Sequence, residues 1–279
     1  MVSSLGKVGA IIQARARSRR LPGKVLLKLP FDGPHSIIDN VISRARRVTL
    51  IDAVVVATSR DSENNAIAAS VTKSDAVLFR GSEDNVLERF HQAATEYGIT
   101  TIVRLTADNP CIDPNFIYRA LQEHAKHAAD YTKTVGLPVG MNVEVISAAA
   151  LKRVFETAER VDDKEHVTLY VNRNLGQFKT IGLDLAKPGY ADLRVTVDWK
   201  GDYAFACFLY DHLYHRDPYF GLDRVMELLD RHPWAKMING DLQQEKQFAG
   251  PNDEMNDAVE LMELHGLRHT AAYLRTLTH

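Results

Sequence analysis

Short apolar segments alternate with longer amphipathic segments through the first half of the chain, and this alternation constrains the fold most. The apolar segments predict buried strands at 8–12, 52–59, 76–79 and 101–105. Between and after these strands, apolar residues recur with helical spacing, which predicts helices at 36–48, 61–72, 83–97 and 115–127. Strands that alternate with helices are typical of an α/β fold, so we expect a mostly parallel sheet with helices on both faces.

The alternation changes after residue 130, where the predicted elements follow one another less regularly. Strands are predicted at 131–134, 142–146 and 178–183, and helices at 148–158 and 164–174. We interpret residues 130–182 as an inserted element, because 193–198 again have the pattern of a buried strand. The rest is mostly helical, with a Gly-Pro-Asn break at 250–252 between amphipathic segments at 220–230 and 253–274. We therefore expect a domain over 1–250 and a helical extension over 251–279.

The composition excludes several classes of protein. Hydrophobic residues make up 45% and charged residues 25% of the 279 positions, which is typical of a globular protein with a sizeable core. The net charge of −2 argues against a nucleic-acid partner. Two cysteines are too few for a disulfide framework, and no window approaches the ~20 apolar residues of a membrane span. The N-terminus lacks the pattern of a signal peptide. We expect a cytoplasmic protein with no membrane contact.

Basic residues are concentrated in the loop that follows the first predicted strand. Residues 13–24 read Q-A-R-A-R-S-R-R-L-P-G-K. Ligands of open α/β sheets bind outside the carboxyl ends of the strands, where Arg15, Arg20 and Lys24 would suit a polyphosphate. Basic loops also occur simply as solvated surface, so the charge by itself leaves both interpretations open.

Two aspartates are predicted at the ends of other strands. Asp108 follows the strand at 101–105, and Asp198 ends the strand at 193–198. Carboxylates from separate strand ends beside a polyphosphate loop suit Mg²⁺, which takes one or two carboxylates and completes its shell with water and phosphate oxygens. An isolated Asp-Asn-Pro is also typical of a turn or a helix cap. Asp113 is predicted to cap the helix that follows it.

The order of residues in these segments resembles a known family. Residues 13–26, Q-A-R-A-R-S-R-R-L-P-G-K-V-L, resemble the signature loop of the cytidylyltransferases that activate acidic sugars, the CMP-Kdo and CMP-sialic acid synthetases. The resemblance is closest to the spore-coat polysaccharide biosynthesis protein F family. Residues 104–114 and 194–198, R-L-T-A-D-N-P-C-I-D-P and R-V-T-V-D, resemble the segments that carry the metal in this family. The resemblance covers about residues 8–248 and keeps the order of the motifs.

The resemblance implies a Rossmann-like nucleotidyltransferase whose inserted element, 130–182, forms a dimer contact and lines the sugar pocket. In the implied reaction, an acceptor oxygen attacks the α-phosphorus of CTP and pyrophosphate leaves. The implied acceptor is a 2-keto-3-deoxy acidic sugar, and the product is a CMP-sugar for surface polysaccharide or glycan synthesis. Mg²⁺ is the implied cofactor, and a homodimer is the implied assembly.

The resemblance also implies roles for individual residues. Arg15, Arg20 and Lys24 would bind the triphosphate, while Asp108 and Asp198 would hold Mg²⁺. The other residues implied at the nucleotide are Ala14, Ser18, Thr58, Ser59, Arg80, Gly81, Ser82, Thr106 and Ala107. Those implied at the acceptor are Asn142, Glu144, Glu165 and His166. Ser82 equally fits a plain helix cap, and Glu165 and His166 equally fit the polar face of a helix.

Two alternatives remain open from the sequence. The first is a cytidylyltransferase that acts on a different acceptor, such as a phosphonate, because the same nucleotide loop could serve any anionic nucleophile. The second is a non-catalytic nucleotide-binding homologue. Arg17, which stands where the family has Gly, and residues 199–202, which depart from the family's usual acidic stretch, would favour it. The presence of Lys24, Asp108 and Asp198 argues against it.

Overall fold

The computed structural model describes residues 5–242, 251–264 and 266–276, and its centre is a seven-stranded sheet. The strands are β1 (Val8–Gln13), β2 (Ala53–Ser59), β3 (Val77–Gly81), β4 (Thr101–Thr106), β5 (Tyr131–Val135), β6 (Glu144–Ser147) and β7 (Thr180–Asp184). Their order across the sheet is β3-β2-β1-β4-β6-β5-β7. The pairs β1–β2, β1–β4, β2–β3 and β5–β7 are parallel, whereas β6 runs antiparallel to β4 and β5. The prediction of a mostly parallel sheet is therefore confirmed.

Helices cover both faces of the sheet, as predicted. The helices of the described residues are α1 (Ile37–Arg46), α2 (Asn65–Val71), α3 (Val86–Glu96), α4 (Pro114–His127), α5 (Ala148–Thr157), α6 (Val161–Glu165), α7 (Leu169–Arg173), α8 (Lys200–Leu213), α9 (Leu222–Arg231), α10 (Pro251–Leu264) and α11 (Arg268–Arg275), of which α10 and α11 belong to the second compact unit described below. Consecutive strand residues point to opposite faces, so Ile12 packs in one core cluster with Ile38 of α1 while Ile11 packs in the other with Phe90 of α3. This two-sided burial explains why the predicted strands are continuous apolar runs.

The chain divides into two compact units, Met1–Asp241 and Leu242–His279. The first contains the sheet and α1–α9, and the described part of the second contains α10 and α11. The predicted boundary at residue 250 lies outside the described residues. Within the described residues, no helix has the length and apolar character needed to cross a membrane.

The prediction of a strand at residues 193–198 is wrong. This segment forms only an isolated bridge between Val139 and Arg194. Val139 N–H donates to Leu193 O at 3.1 Å and Val195 N–H donates to Val139 O at 2.8 Å, and these two bonds make the bridge. Val197 N–H donates instead to Asp108 O, in the turn after β4, at 2.9 Å. The apolar residues of this segment are buried, which explains the strand-like pattern of the sequence. Its main chain is irregular apart from that one bridge.

Several predicted helices also differ from the structure. The helix predicted at 164–174 is two short helices, α6 and α7, because the chain leaves helical geometry at His166 (φ −108°, ψ 87°). The helix predicted from residue 83 begins at Val86, with Asn85 as its cap. The amphipathic segment at 253–274, for which a pair of helices is predicted, contains α10 and α11, with Gly266 in left-handed geometry between Leu264 and Arg268. Asp113 caps α4 as predicted, because its side chain accepts from Asn115 N–H.

Gly140 controls how closely residues 193–198 approach the rest of the unit. It has a φ of +100°, and a Cβ there would lie 2.5 Å from Thr196 N. We predict that Gly140→Ala lowers the stability by about 3 kcal/mol, because it combines backbone strain with a clash against main chain. The expected fall in the melting temperature is about 6–12 °C, measured by thermal unfolding.

Gly98→Ala is the matched control for this prediction. Gly98 has a φ of +62°, but a Cβ there would meet nothing within 4 Å. Its expected cost is the left-handed strain alone, about 1 kcal/mol. Equal losses of stability in the two variants would show that the close approach at Gly140 is unimportant.

Candidate active site

The carboxyl ends of β1 and β4 lie next to each other in the sheet, and the basic loop begins where β1 ends. Ala16 N–H donates to Asn64 Oδ1 at 2.8 Å, and Gly23 N–H donates back to Ala16 O at 3.1 Å. Gly23 permits this reversal because it has a φ of 68°. The loop is thereby closed at its base, and Lys24 follows it as a buried residue.

Lys24 is the centre of the site. Its Nζ donates to Asp108 Oδ2 at 2.6 Å and to Asp198 Oδ1 at 2.7 Å, and only 9% of its side chain is exposed. The guanidinium of Arg20 lies 3.3 Å from the same Asp198 Oδ1 and 5.1 Å from the ring centroid of Trp199. The structure therefore brings together four of the five residues that were predicted to be catalytic.

Each of the two aspartates is also held by a second group. Thr106 Oγ1 donates to Asp108 Oδ1 at 2.6 Å, and Arg194 Nη2 donates to Asp198 Oδ2 at 2.7 Å. Burial alone would raise the pKa of the Asp198 carboxyl, but the three neighbouring positive charges outweigh burial and hold this pKa below its ordinary value. Asp198 is therefore ionised at neutral pH.

A buried cluster behind Asp198 was missed by sequence reasoning. Arg194 donates from Nε to Asp202 Oδ1 at 2.9 Å and from Nη2 to Asp202 Oδ2 at 3.1 Å. Asp202 Oδ2 also accepts from the main-chain N–H groups of Asp198 and Trp199, and Asn239 donates to Asp202 Oδ1. An aspartate at the third position of a helix is a capping signal, so Asp202 could have been found from the sequence. Nothing in the sequence marked Asn239.

The remaining arginines of the loop lie outside this cluster. Arg15 Nη1 is 3.9 Å from Glu165 Oε1, and both side chains are exposed. Arg17 is directed toward Glu63, with Nε 3.6 Å from Oε2. Ser18 closes the loop internally, because its hydroxyl accepts from Leu21 N–H at 3.3 Å. Arg17, the departure from the family pattern, therefore makes its ion pair away from Lys24 and the two aspartates.

Several residues predicted at the nucleotide use their polar groups within the protein. Ser59 Oγ accepts from Asn64 Nδ2 at 2.7 Å. Arg80 donates to Ser59 O, to Asp61 O and to Asn65 Oδ1, so it clamps the turn after β2.

The main chain and small side chains at this edge are also engaged. Ala14 N–H donates to Ala57 O, Ala107 N–H donates to Gln13 O, and Ser82 Oγ accepts from Asn85 N–H. A Cβ at Gly81 would lie 3.0 Å from the Phe79 ring and 3.1 Å from the Arg89 side chain. These residues line the edge of the sheet, and their contacts with a nucleotide stay predictions.

The residues predicted at the acceptor do not form one cluster. Glu144 accepts from Arg104, from Tyr131 and from Thr168, so both of its carboxylate oxygens are engaged. Burial would raise its pKa, but the charge of Arg104 and these hydrogen bonds hold the pKa below its ordinary value. Asn142, Glu165 and His166 are exposed, and Asn142 Nδ2 donates weakly to Pro138 O at 3.4 Å.

Unpaired polar atoms collect at the same edge of the sheet. Within the described residues, Gln13 Oε1, Thr58 Oγ1, Arg104 Nε and Asn109 Oδ1 are buried and have no hydrogen-bond partner. Gln13 is the last residue of β1 and Thr58 is the last but one of β2, while Arg104 lies in β4 and Asn109 just after it. Buried polar groups are usually paired, so these four atoms are candidates to bind a polar ligand.

Comparison with known proteins agrees with this geometry. A family model described as cytidylyltransferase matches residues 9–214. The chain belongs to the cytidylyltransferase family. The matched range includes Lys24, Asp108 and Asp198, so the resemblance drawn from the motifs is confirmed.

Individual relatives support the same assignment. The chain is 34% identical to the spore coat polysaccharide biosynthesis protein SpsF of Bacillus subtilis over 231 residues, which are 81% of this chain and 95% of that protein. It is also similar to the structure of a cytidylyltransferase from Leptospira borgpetersenii, with 25% identity, a TM-score of 0.76, and coverage of 86% of this chain and 99% of that one. The CMP:2-keto-3-deoxy-manno-octonic acid synthetase, solved in complex with CTP, shares the fold with 18% identity, a TM-score of 0.57, and coverage of 73% of this chain and 98% of that one.

The residues of this cytidylyltransferase fit a divalent cation. Asp108 and Asp198 direct one carboxylate oxygen each toward a single buried cation, the Lys24 ammonium. Within the described residues, no group of three or more His, Cys, Asp or Glu side chains is placed to hold a metal without further ligands. Two converging carboxylates suit Mg²⁺, which takes one or two carboxylates in proteins and completes its shell with water and phosphate oxygens.

Asp202 is predicted to be essential for the stability of this cytidylyltransferase. Asp202→Ala leaves the buried guanidinium of Arg194 without its two-point partner and removes the cap of α8. Breaking a buried ion pair from one side costs about 3–5 kcal/mol. The expected fall in the melting temperature is more than about 6 °C. Glu227→Ala, which breaks an exposed pair with Arg224, is the control and should leave the melting temperature essentially unchanged. Similar melting temperatures for the two variants would contradict a structural role for Asp202.

Proposed function

We propose that this cytidylyltransferase transfers CMP from CTP to a 2-keto-3-deoxy acidic sugar and releases pyrophosphate, for the synthesis of surface polysaccharide or glycan. The observation that carries the proposal is that Lys24 donates hydrogen bonds to both Asp108 and Asp198 at the carboxyl edge of the sheet. We also propose that the enzyme works in the cytoplasm as a homodimer, with residues 130–182 at the dimer contact.

In the proposed reaction, a hydroxyl oxygen of the acceptor attacks the α-phosphorus of CTP. The bond from this phosphorus to the bridging oxygen of the β-phosphate breaks, pyrophosphate leaves, and the acceptor proton passes to solvent. Positioning and charge stabilisation supply most of the catalysis in such transfers. Arg15, Arg20 and Lys24 would bind the triphosphate and neutralise the charge that builds on pyrophosphate.

Asp108 and Asp198 would hold Mg²⁺ in this proposal. When bound there, the cation would supply Lewis-acid stabilisation of charge on the triphosphate and would lower the pKa of the acceptor hydroxyl. Thr106 and Arg194 would keep the two carboxylates in place. Thr106 donates to the oxygen of Asp108 that does not contact Lys24, and Arg194 donates to the corresponding oxygen of Asp198.

Two features of the sequence favoured a non-catalytic homologue, and their surroundings support an active enzyme. Arg17 pairs with Glu63 in an exposed position. In the segment 199–202, Trp199 lies beside the Arg20 guanidinium, and Asp202 anchors Arg194. Neither departure displaces Lys24 from the two aspartates.

The assignment of the acceptor rests on the relatives. The proteins that match this chain include SpsF of Bacillus subtilis and the synthetase whose name specifies a 2-keto-3-deoxy acid. An assay of pyrophosphate release against a panel of 2-keto-3-deoxy acids and phosphonates would discriminate the two classes of acceptor. Release with a phosphonate alone would replace the acidic sugar in the proposal.

Lys24 and Asp108 are predicted to be required for turnover. Lys24→Ala removes the charge opposite the triphosphate, and Asp108→Asn removes a proposed ligand of the cation. Each change should lower kcat by at least about 100-fold, because lost electrostatic stabilisation of a transition state typically costs that much. Pyrophosphate release measures the effect, and Lys28→Ala, four residues along and exposed, is the control. A Lys24→Ala enzyme with undiminished kcat would refute the assignment.

Nucleotide selectivity can be tested without an acceptor. We predict that CTP with Mg²⁺ raises the melting temperature and that UTP, ATP and GTP do so less. A ligand at one hundred times its dissociation constant adds about 2.7 kcal/mol of stability, which corresponds to a rise of about 5–10 °C for a chain of this size. Thermal unfolding with each nucleotide measures this. The absence of a shift with all four would favour the non-catalytic alternative.

A further inference from the structure

Three charged side chains lie side by side across β4, β6 and β5, and we call them the charged row. Arg104 of β4 is in register with Glu144 of β6, and Glu144 is in register with Lys133 of β5. Residues in register on neighbouring strands project from the same face of a sheet. The charged row is only partly buried, whereas Ile102 and Ile146, one step earlier on the same face, are fully buried in the core. The apolar core of this face therefore ends at the charged row.

The middle member of the charged row is occupied by contacts within the protein. Glu144 accepts hydrogen bonds from Arg104 Nη1, from the Tyr131 hydroxyl and from Thr168 Oγ1, the last at 2.7 Å. Both carboxylate oxygens are thereby used. Glu144 is therefore suited to hold the Arg104 guanidinium in a fixed orientation.

The two outer members of the charged row keep donors that the described protein does not use. Arg104 Nε is buried and has no hydrogen-bond partner within the described residues. Lys133 Nζ donates to Asn172 Oδ1 of α7 at 2.8 Å, and it has no carboxylate partner within the same residues. An ammonium carries three donors, so Lys133 has capacity for further acceptors. An anionic ligand would gain charge-assisted hydrogen bonds from both side chains.

The charged row also lies beside the proposed reaction centre. Thr106 follows Arg104 by two residues on β4, so the two side chains share one face about 7 Å apart. Thr106 Oγ1 donates to Asp108 Oδ1 at 2.6 Å. In a 2-keto-3-deoxy acid, the carboxylate is attached to the carbon that carries the attacking hydroxyl. A subsite for that carboxylate must therefore adjoin Asp108, and the long side chains of the charged row meet this requirement.

We propose that Lys133 and Arg104 form a subsite that binds the carboxylate of the acceptor. The Lys133 ammonium donates from β5 and the Arg104 guanidinium donates from β4, while Asn172 and Glu144 act as positioning residues for them. The inference rests on the proposed function, which makes the acceptor an acidic sugar. It adds the group that is recognised and two residues that recognise it.

A comparison of an acid with its uncharged analogue tests this subsite. The probes are the 2-keto-3-deoxy acid that releases most pyrophosphate with the wild type, and the carboxamide of the same sugar. Lys133→Met should raise the KM for the acid at least about ten-fold, because one charge-assisted hydrogen bond is lost. The KM for CTP should stay essentially unchanged. The preference for acid over carboxamide, as a ratio of kcat/KM values, should fall by a similar factor. Lys179→Met, which removes an exposed lysine just before β7, is the control and should change neither quantity.

Arg104→Lys tests the other side of the subsite. It keeps a positive charge beside Glu144 but removes the unpaired Nε donor. It should raise the KM for the acid by about five-fold, again without a change in the KM for CTP. An Arg104→Lys enzyme with a wild-type KM for the acid would remove Arg104 from the subsite.

Three outcomes would overturn the inference, and they can be told apart. If Lys133→Met keeps the wild-type KM for the acid and the wild-type preference over the carboxamide, the subsite is wrong and the proposed function stands. Equal rises in the KM for CTP and for the acid would show a general disturbance of the site, which also rejects the subsite. If the wild type releases no pyrophosphate with any 2-keto-3-deoxy acid, the proposed function fails and the inference fails with it. Circular dichroism checks folding, and Lys133→Gln replaces Lys133→Met if that variant does not fold.

Discussion

The contact of Lys24 with Asp108 and Asp198 is the interaction on which the rest of the site depends. It joins residues that are 84 and 174 positions apart in the sequence. A partly buried carboxylate or ammonium is costly unless it is paired, so each of the three groups requires the others to be in place. The loop after β1, the turn after β4 and the segment 193–198 are thereby held at one edge of the sheet.

The architecture explains why these three segments meet. β1 and β4 are adjacent and parallel, so their carboxyl ends lie side by side. The third segment reaches the same edge without belonging to the sheet, through hydrogen bonds to Val139 and to Asp108 O. Gly140 permits the close approach, and the buried pairing of Arg194 with Asp202 fixes the direction of Asp198. The site is therefore built from the ends of two sheet strands and one segment that lies outside the sheet.

The contacts also separate residues that could meet a ligand from residues that support them. Glu144 accepts hydrogen bonds from three side chains, and Arg80 donates to the main chain of the turn after β2. Both side chains therefore stabilise the surrounding structure. The unpaired atoms of Gln13, Thr58, Arg104 and Asn109 are in the opposite situation. They mark where a polar ligand would gain hydrogen bonds that the described part of the protein leaves unmade.

From the residues alone we could predict the α/β class, the main strands and helices, the family, and Lys24, Asp108 and Asp198 as site residues. These features depend on local information, namely apolar periodicity and the order of residues in short motifs. The folded chain was needed to show that 193–198 is not a strand and that Arg194, Asp202 and Asn239 support the site. It was also needed to show that Lys24 lies between the two aspartates. A run of apolar residues indicates that a segment is buried, but it does not indicate whether the main chain of that segment pairs with a neighbouring strand. Likewise, the pairing of buried charges depends on which distant segments the fold brings into contact.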